Sequence, residues 1–286
     1  MVRYGGPADR GCCGQGSTIR SFRLTRLRVP LAAWGGRAGH FALASRGMIA
    51  LFTDFGTMDS YVGQLHARLR AAAPAVPVID LFHGVAPYNV RAAAYLLPAY
   101  ASALPSRTVF LCVVDPGVGG TRRPVCLEAN DCWFVGPDNG LFALLLRRAH
   151  KPRVREITWR PEHLSHTFHG RDLFAPVAAE LALGNAPVSL ETKIEDRTDW
   201  PDDLAEIIHV DHYGNGITGI RASNMRSDAR LRVGALTIAS GSHYAERCDH
   251  DVFWYENANG LVEIAAARGS AAHQCGLSVG TPVMIP

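Results

Sequence analysis

Between Val113 and Arg123 the chain reads Val-Val-Asp-Pro-Gly-Val-Gly-Gly-Thr-Arg-Arg. An apolar, β-branched run from Thr108 to Val114 leads into it, the pattern of a strand buried on both faces. Asp115 ends that run, Pro116 cannot continue a central strand, and Gly117, Gly119 and Gly120 follow before Arg122 and Arg123. A carboxylate at a strand end, a glycine turn and two guanidiniums are a typical way to build a site at the edge of a sheet. They also suit an ordinary Asp-Pro-Gly turn with solvated arginines, and this stretch alone leaves both open.

Two further acidic turns follow apolar runs, Asp54-Phe55-Gly56 and Pro137-Asp138-Asn139-Gly140. In an open parallel sheet the carboxyl ends of strands line one crevice, so the three turns are expected to converge there. A carboxylate after the first strand, Asp54, suits ribose hydroxyls. Asp-Phe-Gly is not a kinase signature here, because no glycine-rich loop or catalytic-loop motif accompanies it. There is no P-loop and no complete dinucleotide fingerprint.

His163, His166 and His169 lie three apart, but this spacing matches no strong metal signature, and no metal is expected. His169 stands out because Gly170-Arg171-Asp172 follows it just before a helical pattern. In the second half, Asp211-His212-Tyr213-Gly214-Asn215 reads structurally as a hairpin turn. Read functionally, it offers a carboxylate, a ring and an amide to a ligand with an ammonium, a carboxylate and a purine. The sequence does not decide between these readings.

The elements that must position these groups alternate. Strands are expected at Met48–Thr53, Val76–Phe82, Thr108–Val114, Val125–Glu128, Cys132–Val135 and Val154–Thr158. Helices are expected at Ser60–Ala73, Asn89–Ala103, Leu141–Arg148 and Leu173–Leu183, with Ser60 capping the first. That alternation argues for an α/β domain over 48–184 with a mainly parallel sheet. Residues 185–204 are polar, hold Pro187 and Pro201, and read as a linker. Short β-like runs follow at Ala205–Val210, Gly216–Ile220, Leu231–Ile238, Leu261–Ala266 and Pro282–Ile285, so 205–286 is expected to form a smaller β-barrel or sandwich.

Composition narrows the class. Hydrophobic residues are 48% and charged residues 19%, which suits a globular protein with a real core. A net charge of +3 is too small to argue for nucleic acid. Much of that excess sits in residues 1–47, where eight arginines face one acid, Asp9. This segment lacks a secretory pattern and reads as a disordered leader, or as sequence upstream of a natural start at Met48. No apolar run reaches the roughly 18 residues that span a membrane. Seven cysteines without a Cys-x-x-Cys pair point to a reducing cytoplasm, with Cys112 a small core hydrophobe.

Taken in order, ALFTDFGTMDSYVGQL, VVDPGVGGTRR, FVGPDNGLF, TFHGRDLFAPVAAEL, DHYGNGITGI and NGLVEIAAARGSAA resemble the S-adenosyl-L-methionine hydrolases. These are also called hydroxide adenosyltransferases and are relatives of the fluorinase and chlorinase. The likeness covers Met48 to Pro286; residues 1–47 have no counterpart. It implies an N-terminal α/β domain, a C-terminal β-barrel, and a homotrimer with substrate at subunit interfaces. It implies hydrolysis of S-adenosylmethionine to adenosine and L-methionine, without a cofactor. The family's triad falls on Asp115, Arg122 and His169. Asp54 matches the ribose ligand, and Tyr88 and Phe168 match aromatics beside the substrate. Asp211, Tyr213 and Asn215 match the stretch that holds methionine and adenine; Asn259 and Arg268 are further implied contacts. The family often has Asn where this chain has Ala267.

Other readings compete. The halogenases resemble this chain in fold and substrate but lack the triad, and the fluorinase has an extra loop where the Leu97–Thr108 connection here is short. A binder without turnover would keep the fold, and a metal-dependent hydrolase would use the three histidines. The intact triad favours the hydrolase.

Overall fold

Ile49–Thr53, strand β1, turns successive side chains to opposite cores: Ala50 and Phe52 into one, Ile49 and Leu51 into the other. The period of two and complete burial make it a central strand covered on both faces. This computed structural model describes residues 47–194 and 197–285. Apart from Gly47, the expected leader lies outside them.

After β1 come α1 (Tyr61–Ala72), β2 (Val78–Phe82), α2 (Val90–Ala101) and β3 (Val109–Val113). Then follow β4 (Pro124–Ala129), β5 (Cys132–Pro137), α3 (Ala143–Arg148), β6 (Arg153–Ile157) and α4 (Ala175–Ala182). Helices α2 and α3 bury their apolar faces on one side of the sheet, α1 and α4 on the other. Asn89 caps α2 by accepting from the Ala92 N–H at 2.9 Å. Ser60, expected to cap α1, makes no capping bond; its hydroxyl accepts from Gln64 Nε2 instead.

With β7 (Ser189–Glu191), the strand order is β2-β1-β3-β5-β4-β6-β7. The parallel pairing expected from the alternation holds for β2, β1, β3 and β5. From β5 onward it turns antiparallel, so the sheet is mixed. The reason is local. Asn130 and Asp131 both have positive φ, the two-residue hairpin turn that folds β5 directly back on β4. The segment expected as a linker supplies β7 to the sheet edge and buries Trp200 in the core shared by α2 and α3.

The remaining strands are β8 (Leu204–Val210), β9 (Gly216–Arg221), β10 (Arg230–Val233), β11 (Leu236–Ala239), β12 (Val252–Glu256) and β13 (Leu261–Ala266). They form a four-stranded antiparallel sheet, β12-β13-β9-β8, and a β10-β11 ribbon around a separate core. The single strand expected over Leu231–Ile238 is therefore two strands joined at Gly234-Ala235. Pro282–Ile285 makes isolated bridges to Glu206 and Arg232. A short helix, α5 (Ala271–Cys275), capped by Ser270, was not expected. Cys112 is fully buried and unpaired, and burial pushes its thiol pKa well up, as suits a core hydrophobe. Among the described residues, no helix is long and apolar enough to cross a membrane.

At Gly136 in β5, an added Cβ would lie 2.3 Å from the Cys112 carbonyl oxygen of β3. Gly136→Ala is therefore expected to lower unfolding stability by about 1–3 kcal/mol. A urea midpoint equal to that of the parent would contradict this close approach.

Candidate active site

Parallel pairing in register, with Thr53 opposite Val113, sets the carboxyl ends of β1 and β3 side by side. The next acids along each strand, Asp54 and Asp115, therefore become neighbours. After Asp115 the chain turns through bonds from the Val118 N–H to the Asp115 carbonyl and from the Gly120 N–H to the Gly117 carbonyl. Gly119 has φ +80°, and a Cβ there would sit 2.4 Å from the His166 carbonyl oxygen. Only glycine lets this loop lie against the one that ends in His169.

Arg122 then folds back on Asp115. Its Nε lies 2.9 Å from both carboxylate oxygens, and Nη2 also donates to Oδ2. The same Nη2 lies 2.8 Å from Nδ1 of His169. Side-chain exposure is 4% at Asp115 and 10% at Arg122, and His169 is 8% exposed, so the three are screened from bulk water. Arg122 also lies over the Phe174 ring at 5.4 Å.

Arginine only donates, so Nδ1 of His169 must accept, and the neutral imidazole carries its proton on Nε2. Burial, reinforced by the Arg122 charge, lowers the His169 pKa below its ordinary 6.5, while Asp115 opposes the shift. A π-helical turn over Gly170–Phe174 holds the histidine at the head of α4. Asp172 braces this corner, accepting from the Ser165 N–H at 3.1 Å and pairing with Arg171.

Asp54 is half-buried, and Oδ2 accepts from the Tyr88 N–H at 3.0 Å. Burial raises its pKa, the Tyr88 bond pulls it down, and the charge on Asp115 adds to the rise. Tyr88 sits at φ 65° with its residue 75% exposed, an uncommon backbone state for an aromatic. Phe168 is buried edge-on to Phe55 and Tyr61, at 5.8 and 5.4 Å between ring centres.

The third acidic turn does not join them. Asp138 accepts from Nε of Arg123 at 3.0 Å, and Arg123 reaches on to Thr192 Oγ1. Arg122 and Arg123, equivalent by sequence, thus part: one faces the site, the other ties β4 to the end of β5. His163 and His166 are exposed, and among the described residues no group of three His, Cys, Asp or Glu side chains is placed to hold a metal.

Asp211 organises its own turn. Oδ1 accepts from the N–H groups of Tyr213 and Asn215, and Oδ2 from the Asn215 amide at 2.9 Å. Asn215 is buried and Tyr213 is 75% exposed. Asn259 lies in the β12–β13 turn, bonded through its N–H to Asn257 Oδ1. Arg268 is exposed and paired with Asp249. The structure thus gathers Asp54, Tyr88, Asp115, Arg122, Phe168 and His169 near the β1 and β3 ends, and Asp211, Tyr213 and Asn215 elsewhere. Among the described residues, no hydrogen bond or ring contact joins the two groups. Tyr61, read from sequence only as helix spacing, completes the aromatic wall; its signal was an aromatic at the first, exposed turn of α1.

An α/β chain with a buried carboxylate, guanidinium and imidazole at adjacent strand ends is built as an enzyme that works at its sheet edge. Residues 49–191 match the model of the SAM hydroxide adenosyltransferase N-terminal domain, and 205–284 that of the C-terminal domain. The chain belongs to the SAM hydroxide adenosyltransferase family. It is 38% identical to the (R)-S-adenosyl-L-methionine hydrolase of Thermus thermophilus, over 83% of this chain and 98% of that one. The crystal structure of a conserved protein from Thermotoga maritima superposes with a TM-score of 0.77 at 32% identity, covering 84% of this chain and 100% of the other. A fluorinase of Actinopolyspora mzabensis is similar at 26% identity, over 84% of this chain and 97% of its own.

The electrostatics can be checked without substrate. Nitrogen NMR of His169 should show the neutral ring protonated on Nε2 and a pKa below 6.5. Arg122→Met should raise that pKa, by removing the repelling cation and leaving the Asp115 charge. An unchanged or lower value would disprove the contact.

Proposed function

We propose that this chain hydrolyses S-adenosyl-L-methionine to adenosine and L-methionine, with no cofactor. The observation that carries the reading is the buried chain of bonds Asp115–Arg122–His169. Water or hydroxide attacks the ribose 5′ carbon in line, the C5′–O bond forms, and the C5′–S bond breaks. The sulfonium leaves as a neutral thioether, so the leaving group needs no general acid. One proton is released per turnover.

The residue chemistry assigns the roles. Arg122 and the Nε2–H of His169 are donors, so they hold the attacking oxygen through its lone pairs and favour hydroxide character. Asp115 is the acceptor of the set. Its Oδ1 takes only one contact from Arg122, which leaves a lone pair for the proton the nucleophile loses. Asp54 holds the ribose hydroxyls, with Tyr88 and Phe168 beside the nucleoside. Asp211, Tyr213, Asn215, Asn259 and Arg268 hold the methionine part and the adenine.

That division supports a homotrimer with sites at subunit interfaces, since one chain keeps its two groups apart and leaves Tyr88 and Tyr213 exposed. We read β8–β13 as a barrel closed by the bridges from Pro282 and Met284, and the protein as cytoplasmic.

Purified protein given S-adenosylmethionine without halide and with chelator should form adenosine and methionine in equal amounts. His169→Ala and Arg122→Ala should lower kcat by about a hundredfold or more. A halide-dependent 5′-halo product would make it a halogenase, and binding without turnover would make it a silent binder. Across pH, kcat/KM should stay level down to about 6.5 and fall only below it, as His169 takes a proton on Nδ1 and repels Arg122. A fall that begins well above that value would remove His169 from this role.

A further inference from the structure

Behind Asp54 lies a second polar chain that the reaction itself does not use. His66 Nε2 lies 2.7 Å and His83 Nε2 3.1 Å from the same oxygen, Oδ1 of Asp80. The other nitrogen of His83, Nδ1, lies 2.8 Å from Oγ1 of Thr53, the residue before Asp54. Oγ1 of Thr53 accepts from the Phe55 N–H at 3.1 Å, and the His83 carbonyl accepts from the Gly56 N–H at 2.9 Å. Thr53 is fully buried and His83 is nearly so.

The direction of each bond follows from donor and acceptor counting. Bonds from both histidines hold the Asp80 carboxyl below the usual carboxylate range despite its partial burial, so it is ionised and only accepts. Nε2 of His83 therefore carries a proton, and in the neutral ring Nδ1 is a bare acceptor. The Thr53 hydroxyl must then donate to it, which turns the oxygen's lone pairs to the Phe55 N–H. Both ends of the Thr53–Gly56 turn are thereby fastened to one residue, His83, with Asp54 between them.

We propose that His83 and Thr53 are positioning residues for the ribose-binding carboxylate of Asp54, with Asp80 fixing the His83 tautomer and His66 holding Asp80. This rests on the reading of Asp54 as the ribose contact. Neither His83 nor Thr53 touches substrate. Their effect is to keep the Asp54 backbone from rotating, so that its carboxylate meets the 2′ and 3′ hydroxyls while Oδ2 holds the Tyr88 N–H.

The test uses the full chain and two probes, adenosine and 2′,3′-dideoxyadenosine, with dissociation constants measured by calorimetry. Wild type should prefer adenosine by about tenfold or more, since a hydrogen-bonded carboxylate would be left unpaired by the dideoxy compound. Thr53→Val should reduce that preference to within about threefold, and Thr53→Ser should keep it. His83→Asn places an acceptor where Nδ1 was and should retain most of the preference. His83→Gln can reach Asp80 but not Thr53 and should lose it. A general loosening of the fold would weaken both probes alike and leave the ratio unchanged, which would overturn the proposal. Wild type without any preference would instead overturn the ribose reading of Asp54, and the proposal with it. Should Thr53→Val not fold, the two His83 variants carry the same comparison.

Discussion

The guanidinium of Arg122 is the pivot of the site. It cannot shed its proton, so burying it is tolerable only with a carboxylate in full contact, and Asp115 supplies that contact through both oxygens. With that edge of the guanidinium committed, the second hydrogen of Nη2 remains to bond His169 Nδ1 and fix its tautomer. The imidazole's tautomer is thus set by a guanidinium that Asp115 holds in place. The loops that carry these groups close on each other where Gly119 passes the His166 carbonyl, so backbone and charge favour the same arrangement.

Sheet topology decides which acids take part. Parallel register places Asp54 and Asp115 on neighbouring strand ends, where the Asp115 charge adds to the rise that burial causes in the Asp54 pKa, while Arg122 binds Asp115. The hairpin that follows is antiparallel, with Pro124 opposite Pro137. Arg123 and Asp138, the residues flanking that pair, are therefore thrown together and bind each other. The change from parallel to antiparallel pairing at β5 converts the third acidic turn from a candidate ligand group into a brace.

This explains what was legible beforehand. The buried strands could be read because their apolar runs are continuous, and α2 because Asn89 marks its start. Val252–Glu256 lies outside the expected strands although Asn257-Ala258-Asn259-Gly260 supplies the turn that folds it onto β13, a signal the sequence did carry. Leu231–Ile238 was merged because one apolar pattern runs through the turn at Gly234. The π-turn before α4 is invisible to a helical period that merely continues through it. The residues of the triad lie far apart in the chain, and no spacing rule joins Asp115 to His169; only the likeness to a known family did. The fate of Asp138 was beyond any local reading, because it depends on register.

Each group of site residues is finished by its own local bonds before any ligand arrives. Asp211 closes its turn through three acceptor contacts, and Asp54 through the Tyr88 N–H, so neither carboxylate has to be recruited from a flexible state. Rigid halves lower the entropy cost of bringing reacting groups into line, and ligand binding need not order them first. In the proposed homotrimer, the step that completes the site is then docking of two preformed surfaces. Isolated chains would keep the triad and its depressed His169 pKa while lacking the second half of the pocket, because the bonds that set the triad lie wholly within one chain.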